Sequence, residues 1–117
     1  MKIVVGGCRD FCDYDVLREF LDEVLDGRDL SDVTLLSGHC RGADMLAELY
    51  AGEREIKVEL HPAEWDKYGR AAGVHRNREM VDEADQVIAF WDGKSRGTKS
   101  LIEYAKKRGK AADVKMI

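Results

Sequence analysis

The spacing of apolar residues changes period several times along the chain, and each change marks an element. Ile3-Val4-Val5 is a β-branched run that stops at Gly6-Gly7, the pattern of a buried strand feeding a tight turn. Val16, Leu17, Phe20, Leu21, Val24 and Leu25 then recur at helical spacing, with Asp13 placed to cap the helix and Gly27 to stop it. Val33-Thr34-Leu35-Leu36 reads as a second strand, broken by Ser37-Gly38. A helix is expected from about Gly42 to Arg54, burying Met45, Leu46, Leu49 and Tyr50. Ile56, Val58 and Leu60 alternate with charged residues as a third strand, half-buried or at an edge. After Pro62 come a loop with Trp65 and Tyr68 and a helix from about Arg70 to Asp85. The unbroken apolar run around Val87-Ile88-Ala89-Phe90-Trp91 is the strongest strand. A last helix over Thr98–Arg108 and a short strand over Val114–Ile117 complete the series.

Strands that alternate with helices predict an α/β fold with one parallel sheet of about five strands and helices on both faces. Right-handed crossovers leave few doubly wound topologies, and a Rossmann-like order 3-2-1-4-5 is expected for a single domain over 1–117. In such a sheet, ligands sit beyond the C-terminal ends of the strands, where the winding reverses. The loops after Val5, Leu36, Leu60 and Trp91 therefore carry the interest.

Composition narrows the function classes. Hydrophobic residues are 44% and charged residues 36% of the 117, enough to fill a core and keep a charged surface. The formal charge of −4 has the wrong sign for phosphate-driven binding to DNA or RNA. The basic cluster Lys106, Lys107, Arg108 and Lys110 is explained by complementing a helix C-terminus. No bilayer-spanning or signal-like run is read, and three cysteines, an odd number, suit a reducing compartment; a cytoplasmic protein is expected. A zinc site on Cys8, Cys12, His39 and Cys40 lacks the usual paired-cysteine spacing, so neither metal nor cofactor is expected.

Three loops could carry chemistry. Gly6-Gly7-Cys8-Arg9 follows the first strand, where glycines let backbone approach a ligand and Arg9 could pair with phosphate. Ser37-Gly38-His39-Cys40-Arg41-Gly42-Ala43-Asp44 opens a helix, whose unpaired N–H groups and dipole favour an anion; Ser37 and Arg41 add donors, and Asp44 sits in the first turn. Asp92-Gly93-Lys94-Ser95-Arg96-Gly97-Thr98 repeats that device after the fourth strand, without the Gly-Lys-Ser/Thr of a Walker A loop. Arg76 and Met80 share a helical face. Either Arg76 points inward to meet an anion or carboxylate, or it lies in solvent and pairs with Glu79 or Asp82. Trp65 and Tyr68 either stack on a base or pack in the core.

Ala72-Gly73-x-x-Arg76-Asn77-x-x-Met80, then Ala84-Asp85-x-Val87-Ile88-Ala89-Phe90-Trp91 and Gly93-x-Ser95-x-Gly97-Thr98, together resemble the SLOG superfamily. That group joins the LOG phosphoribohydrolases, the DNA-processing protein DprA and small relatives. Gly6-x-Cys8-Arg9-x-Phe11, Ser37-Gly38-x-x-x-Gly42-Ala43-Asp44 and Pro62-Ala63-x-Trp65-x-x-Tyr68-Gly69 look like its small YspA or cpYpsA-related branch. The resemblance covers nearly the whole chain. It implies a Rossmannoid fold that senses or processes nucleotides or their derivatives, NAD or ADP-ribose derivatives among them, in a glycine-rich crevice. It also implies a homodimer.

Binding residues expected from loops and resemblance are Gly6, Gly7, Arg9, Ser37, Gly38, Arg41, Gly42, Asp44, Arg76, Asn77, Asp92, Gly93, Ser95, Gly97 and Thr98, with Arg76 as the candidate for a catalytic role. One departure matters. LOG enzymes carry a glutamate three residues after the threonine, and here that position is Leu101; Asp92 replaces the proline that opens the loop. Cleavage of an N-glycosidic bond needs a carboxylate beside the ribose. Asp92, Asp44 or Asp10 are the neighbours that could substitute. A nucleotide-binding protein is the leading expectation, and a LOG-like N-glycoside hydrolase the alternative.

Overall fold

The computed structural model describes all residues, 1–117. Its five parallel strands are β1 (Lys2–Gly7), β2 (Thr34–Ser37), β3 (Lys57–Leu60), β4 (Gln86–Trp91) and β5 (Ala111–Met116), in the order 3-2-1-4-5. The helices are α1 (Tyr14–Val24), α2 (Ala43–Glu53), the single turn α3 (Trp65–Tyr68), α4 (Ala72–Glu83) and α5 (Arg96–Lys107). The expected architecture is the one observed, with the winding reversing between β1 and β4. No helix is long and apolar enough to cross a membrane.

The sheet separates two cores. Leu17, Leu21, Tyr50, Ile88 and Phe90 fill the side covered by α1 and α2, and Val4, Leu36, Met80, Val81 and Leu101 the side covered by α4 and α5. Alternation along the central strands feeds both: Ile3 and Val5 face one core while Val4 faces the other. Asp13 caps α1 as expected, accepting from the Val16 N–H at 3.2 Å. The helix expected from Arg70 begins at Ala72, because Gly69 (φ 55°) ends the α3 turn and residues Gly69–Ala71 form a 3₁₀ turn first.

The helix after β2 departs from its expected burial. Tyr50 is buried as expected and Leu46 packs against the core, but Met45 and Leu49 are 43% and 52% exposed, and Ala43, Ala47 and Ala51 face the core in their place. Close packing decides between the two stripes. A Cβ on Gly7 would lie 2.9 Å from the Ala43 Cβ and 2.4 Å from the Phe90 carbonyl oxygen, so only the small-residue stripe can settle on β1. Met45 and Leu49 are left on the outward side. Val58 and Leu60 of the edge strand β3 also stay open, on the α2 face of the sheet.

Candidate functional site

The C-terminal ends of β1, β2 and β4 surround a crevice with a cavity volume of about 600 Å³. Loops from opposite windings part at the β1/β4 boundary, and the space between them is what parallel topology leaves open. Gly6, Gly7, Arg9, Arg41, Asp44, Arg76, Asn77, Asp92, Ser95, Gly97 and Thr98 line it. Ser37, Gly38, Gly42 and Gly93 do not. Arg70, Lys94 and the half-exposed Trp65 also reach it and were absent from the expected binding set. Lys94 belongs to the glycine-rich loop already singled out after the fourth strand, whereas nothing in its own segment distinguishes Arg70 from an ordinary surface cation.

Arg76 resolves inward, and pairing with Glu79 or Asp82 in solvent is overturned. It is 8% exposed on α4, donating from Nη1 to the Gly38 carbonyl at 2.8 Å and from Nε to Asn77 Oδ1 at 2.8 Å. Its Nη1 also reaches the His61 carbonyl at 3.5 Å, while Asp82 takes Arg108 and Tyr104 as partners. The guanidinium thus clamps the loops after β2 and β3. Gly38 has no side chain because there is no room for one: a Cβ would meet the Arg76 Nη1 at 2.6 Å. Gly42, at φ 86°, passes so near the β1 loop that a Cβ would lie 2.3 Å from the Cys8 carbonyl oxygen. Ser37 is fully buried, its hydroxyl donating to Glu48 at 2.8 Å and accepting from the His39 N–H. These three residues shape the wall from behind it.

The loop after β4 satisfies part of its own backbone. The Asp92 carboxylate accepts from the Lys94 and Ser95 N–H groups, both at 2.8 Å, and these bonds hold its carboxyl below the usual range, the Ser95 bond most of all. The Ser95 side chain caps α5 by accepting from the Thr98 N–H at 3.4 Å. Arg96 and Gly97, the first two residues of α5, therefore keep the free N–H groups that a helix start offers to an anion. Trp91 braces the loop, donating from Nε1 to the Ser95 carbonyl at 3.0 Å.

Asp44 lies 8% exposed in the crevice wall and accepts from the Cys40 N–H at 3.3 Å. Burial pushes its carboxyl up to about 6; the Cys40 hydrogen bond and the charges of Arg76 and Arg9 pull the other way and do not cancel it. The cysteines do not gather: Cys8 is buried beside Thr98, Cys12 is exposed, and Cys40 packs near Arg76. Tyr68 stacks on His75 with ring centroids 4.0 Å apart and does not line the crevice.

A sequence profile of the YspA, cpYpsA-related SLOG family matches residues 1–68. The Gene 61 protein of Mycobacterium phage D29 is 35% identical over 114 residues, which cover 92% of this chain and 90% of that protein. No solved structure matches the chain.

Proposed function

Because the chain belongs to the YspA, cpYpsA-related SLOG family, we propose that its crevice binds a nucleotide or a nucleotide-derived phosphorylated small molecule, as a sensor or ligand-binding protein. The charge of the walls carries this reading. Arg9, Arg41, Arg70, Arg76 and Lys94 face Asp10, Asp44 and Asp92, five basic groups against three acidic, in a chain whose net charge is −4. A basic concavity in an acidic protein concentrates a small anion without attracting a nucleic-acid backbone. Its volume falls in the range of small-molecule sites, roughly 300–1,000 Å³. The Arg96 and Gly97 N–H groups, with Lys94 and Arg9, suit a phosphate, and Trp65 at the rim suits a base.

One observation favours the alternative, hydrolysis of the N-glycosidic bond of a nucleoside monophosphate. The point where a Gly6 Cβ would sit is 3.1 Å from Leu101 Cδ2 and 3.5 Å from Asp44 Oδ1. The carboxyl of Asp44 thus borders the space that the missing glutamate would share, and it could assist water attack on the anomeric carbon as the base departs.

Melting curves with AMP, GMP, CMP, NAD, ADP-ribose and cyclic nucleotides test the binding. A ligand at a hundred times its Kd stabilises by about 2.7 kcal/mol, and the effect is expected to shrink in Lys94→Ala. No shift with any of them overturns the reading. Base released from the stabilising nucleotide, and lost in Asp44→Asn, would select the hydrolase.

We further propose a cytoplasmic homodimer. The free cysteines suit a reducing compartment, and Met45, Leu49, Val58 and Leu60 supply an apolar face for a second copy. Sedimentation of Leu49→Glu tests the interface: it is expected to run as a monomer where the parent runs as a dimer.

A further inference from the structure

Outside the crevice, the edge strand brings a second set of groups together. Glu59 and His61 are two apart and point the same way, onto the face of the sheet that α4 covers. Glu83, at the end of α4, meets them there. His61 Nε2 lies 3.7 Å from Glu59 Oε2 and 3.6 Å from Glu83 Oε2, and the three donor atoms fall within 4.8 Å of one another. These separations exceed hydrogen-bond range. His61 Nε2 and Glu59 Oε2 are nonetheless both sealed from solvent without a hydrogen-bond partner. Two unpaired polar atoms facing each other across a small gap are unfavourable unless something fills it. The nearest cation, Lys2 Nζ, stands 3.4 Å from Glu59 Oε2 and makes no hydrogen bond with it.

We propose that Glu59, His61 and Glu83 form a site for one divalent transition-metal ion of zinc-like preference. One imidazole nitrogen and two carboxylate oxygens are a donor set zinc accepts, with water in the fourth position. Tetrahedral ligation with bonds near 2.0–2.1 Å sets neighbouring donors about 3.4 Å apart, so His61 needs only a few tenths of an ångström of closure onto each carboxylate, while the half-exposed Glu83 side chain would swing toward Glu59, their oxygens now lying within 4.8 Å. The divalent charge would offset two carboxylates, of which Glu59 has Lys2 as its cation and Glu83 meets only His61. His61 is held on both sides, its N–H donating to the Ser37 carbonyl at 2.8 Å and its carbonyl accepting from Arg76. The ion would pin the end of α4 to β3 and brace the helix that presents Arg76 and Asn77. This site is independent of what occupies the crevice.

Equilibrium dialysis of the metal-stripped 117-residue chain against Zn²⁺, read by atomic absorption, is expected to give one ion per chain and a higher Tm. Glu83→Gln and His61→Gln are each expected to weaken binding by at least about tenfold, the cost of disturbing even an outer-shell partner of a metal site. Glu83 is half-exposed, so its variant should keep the far-UV circular dichroism and metal-free Tm of the parent. Co²⁺ in place of Zn²⁺ is expected to show d–d bands without a thiolate charge-transfer band. A thiolate band would move the ion to the cysteines and overturn the proposal. So would zinc affinity unchanged in both variants, or no zinc bound at millimolar concentration.

Discussion

Asp44→Asn is expected to stabilise the protein at neutral pH, although it alters a buried hydrogen-bonded residue. Burial raises the Asp44 carboxyl from 3.8 to about 6, so the folded state holds the proton more tightly than the unfolded chain does. A raised acid contributes stability fully below its unfolded value, and that contribution is lost as pH climbs through the folded value. The window therefore runs from about pH 4 to about pH 6, and above it folding carries an ionised, poorly solvated carboxylate. A rise of that size corresponds to roughly 3 kcal/mol at most. Asparagine cannot ionise, and its carbonyl oxygen can keep the Cys40 N–H bond. We expect a gain of about 1–3 kcal/mol at pH 7.5, or roughly 4–12 °C in Tm for a domain of this size. Chemical denaturation of both proteins at pH 4 and pH 7.5 measures it. The gain should nearly vanish at pH 4. A variant less stable than the parent at pH 7.5, or a gain equal at both pH values, would refute the reasoning and mean that Arg9 and Arg76 outweigh burial.

Gly42→Ala should cost at least about 3 kcal/mol in urea unfolding, since its backbone region excludes side chains and the added carbon meets the Cys8 and Arg9 carbonyls. Arg76→Leu removes the donor for the Gly38 and His61 carbonyls, and a loss of about 1–3 kcal/mol is expected from the same measurement. Lys94→Ala, at an exposed crevice position, should leave unfolding within about ±0.5 kcal/mol of the parent while weakening pyrophosphate binding in calorimetric titration.

The sheet was legible because short runs rich in β-branched and aromatic residues, such as Ile3-Val4-Val5 and Val87–Trp91, end at Gly6-Gly7 and Asp92-Gly93, too short and too sharply bounded for helices. Crossover handedness narrowed its order to a few doubly wound choices, and the Rossmann-like one is observed. The orientation of α2 was only partly legible: Leu46 and Tyr50 turn inward as expected, but Met45 and Leu49 lose to the stripe Ala43, Ala47, Ala51, and the tight contact at Gly7 that decides between them is tertiary. The same limit applies to the crevice. Gly38 and Gly42 carry a turn signal, yet one makes room for Arg76 and the other for the Cys8 carbonyl. Glu59 and His61 show strand alternation on their own, but Glu83 joins them only after the chain has crossed back through α4.

The most direct test of ligand binding is an amide and indole NMR titration of the labelled protein with AMP and ADP-ribose. The expected shifts fall on Gly6, Arg9, Arg96, Gly97 and the Trp65 indole, at the ends of β1 and β4 and the crevice rim. Spectra unchanged at millimolar ligand, or shifts confined to surfaces away from the crevice, would contradict nucleotide binding there.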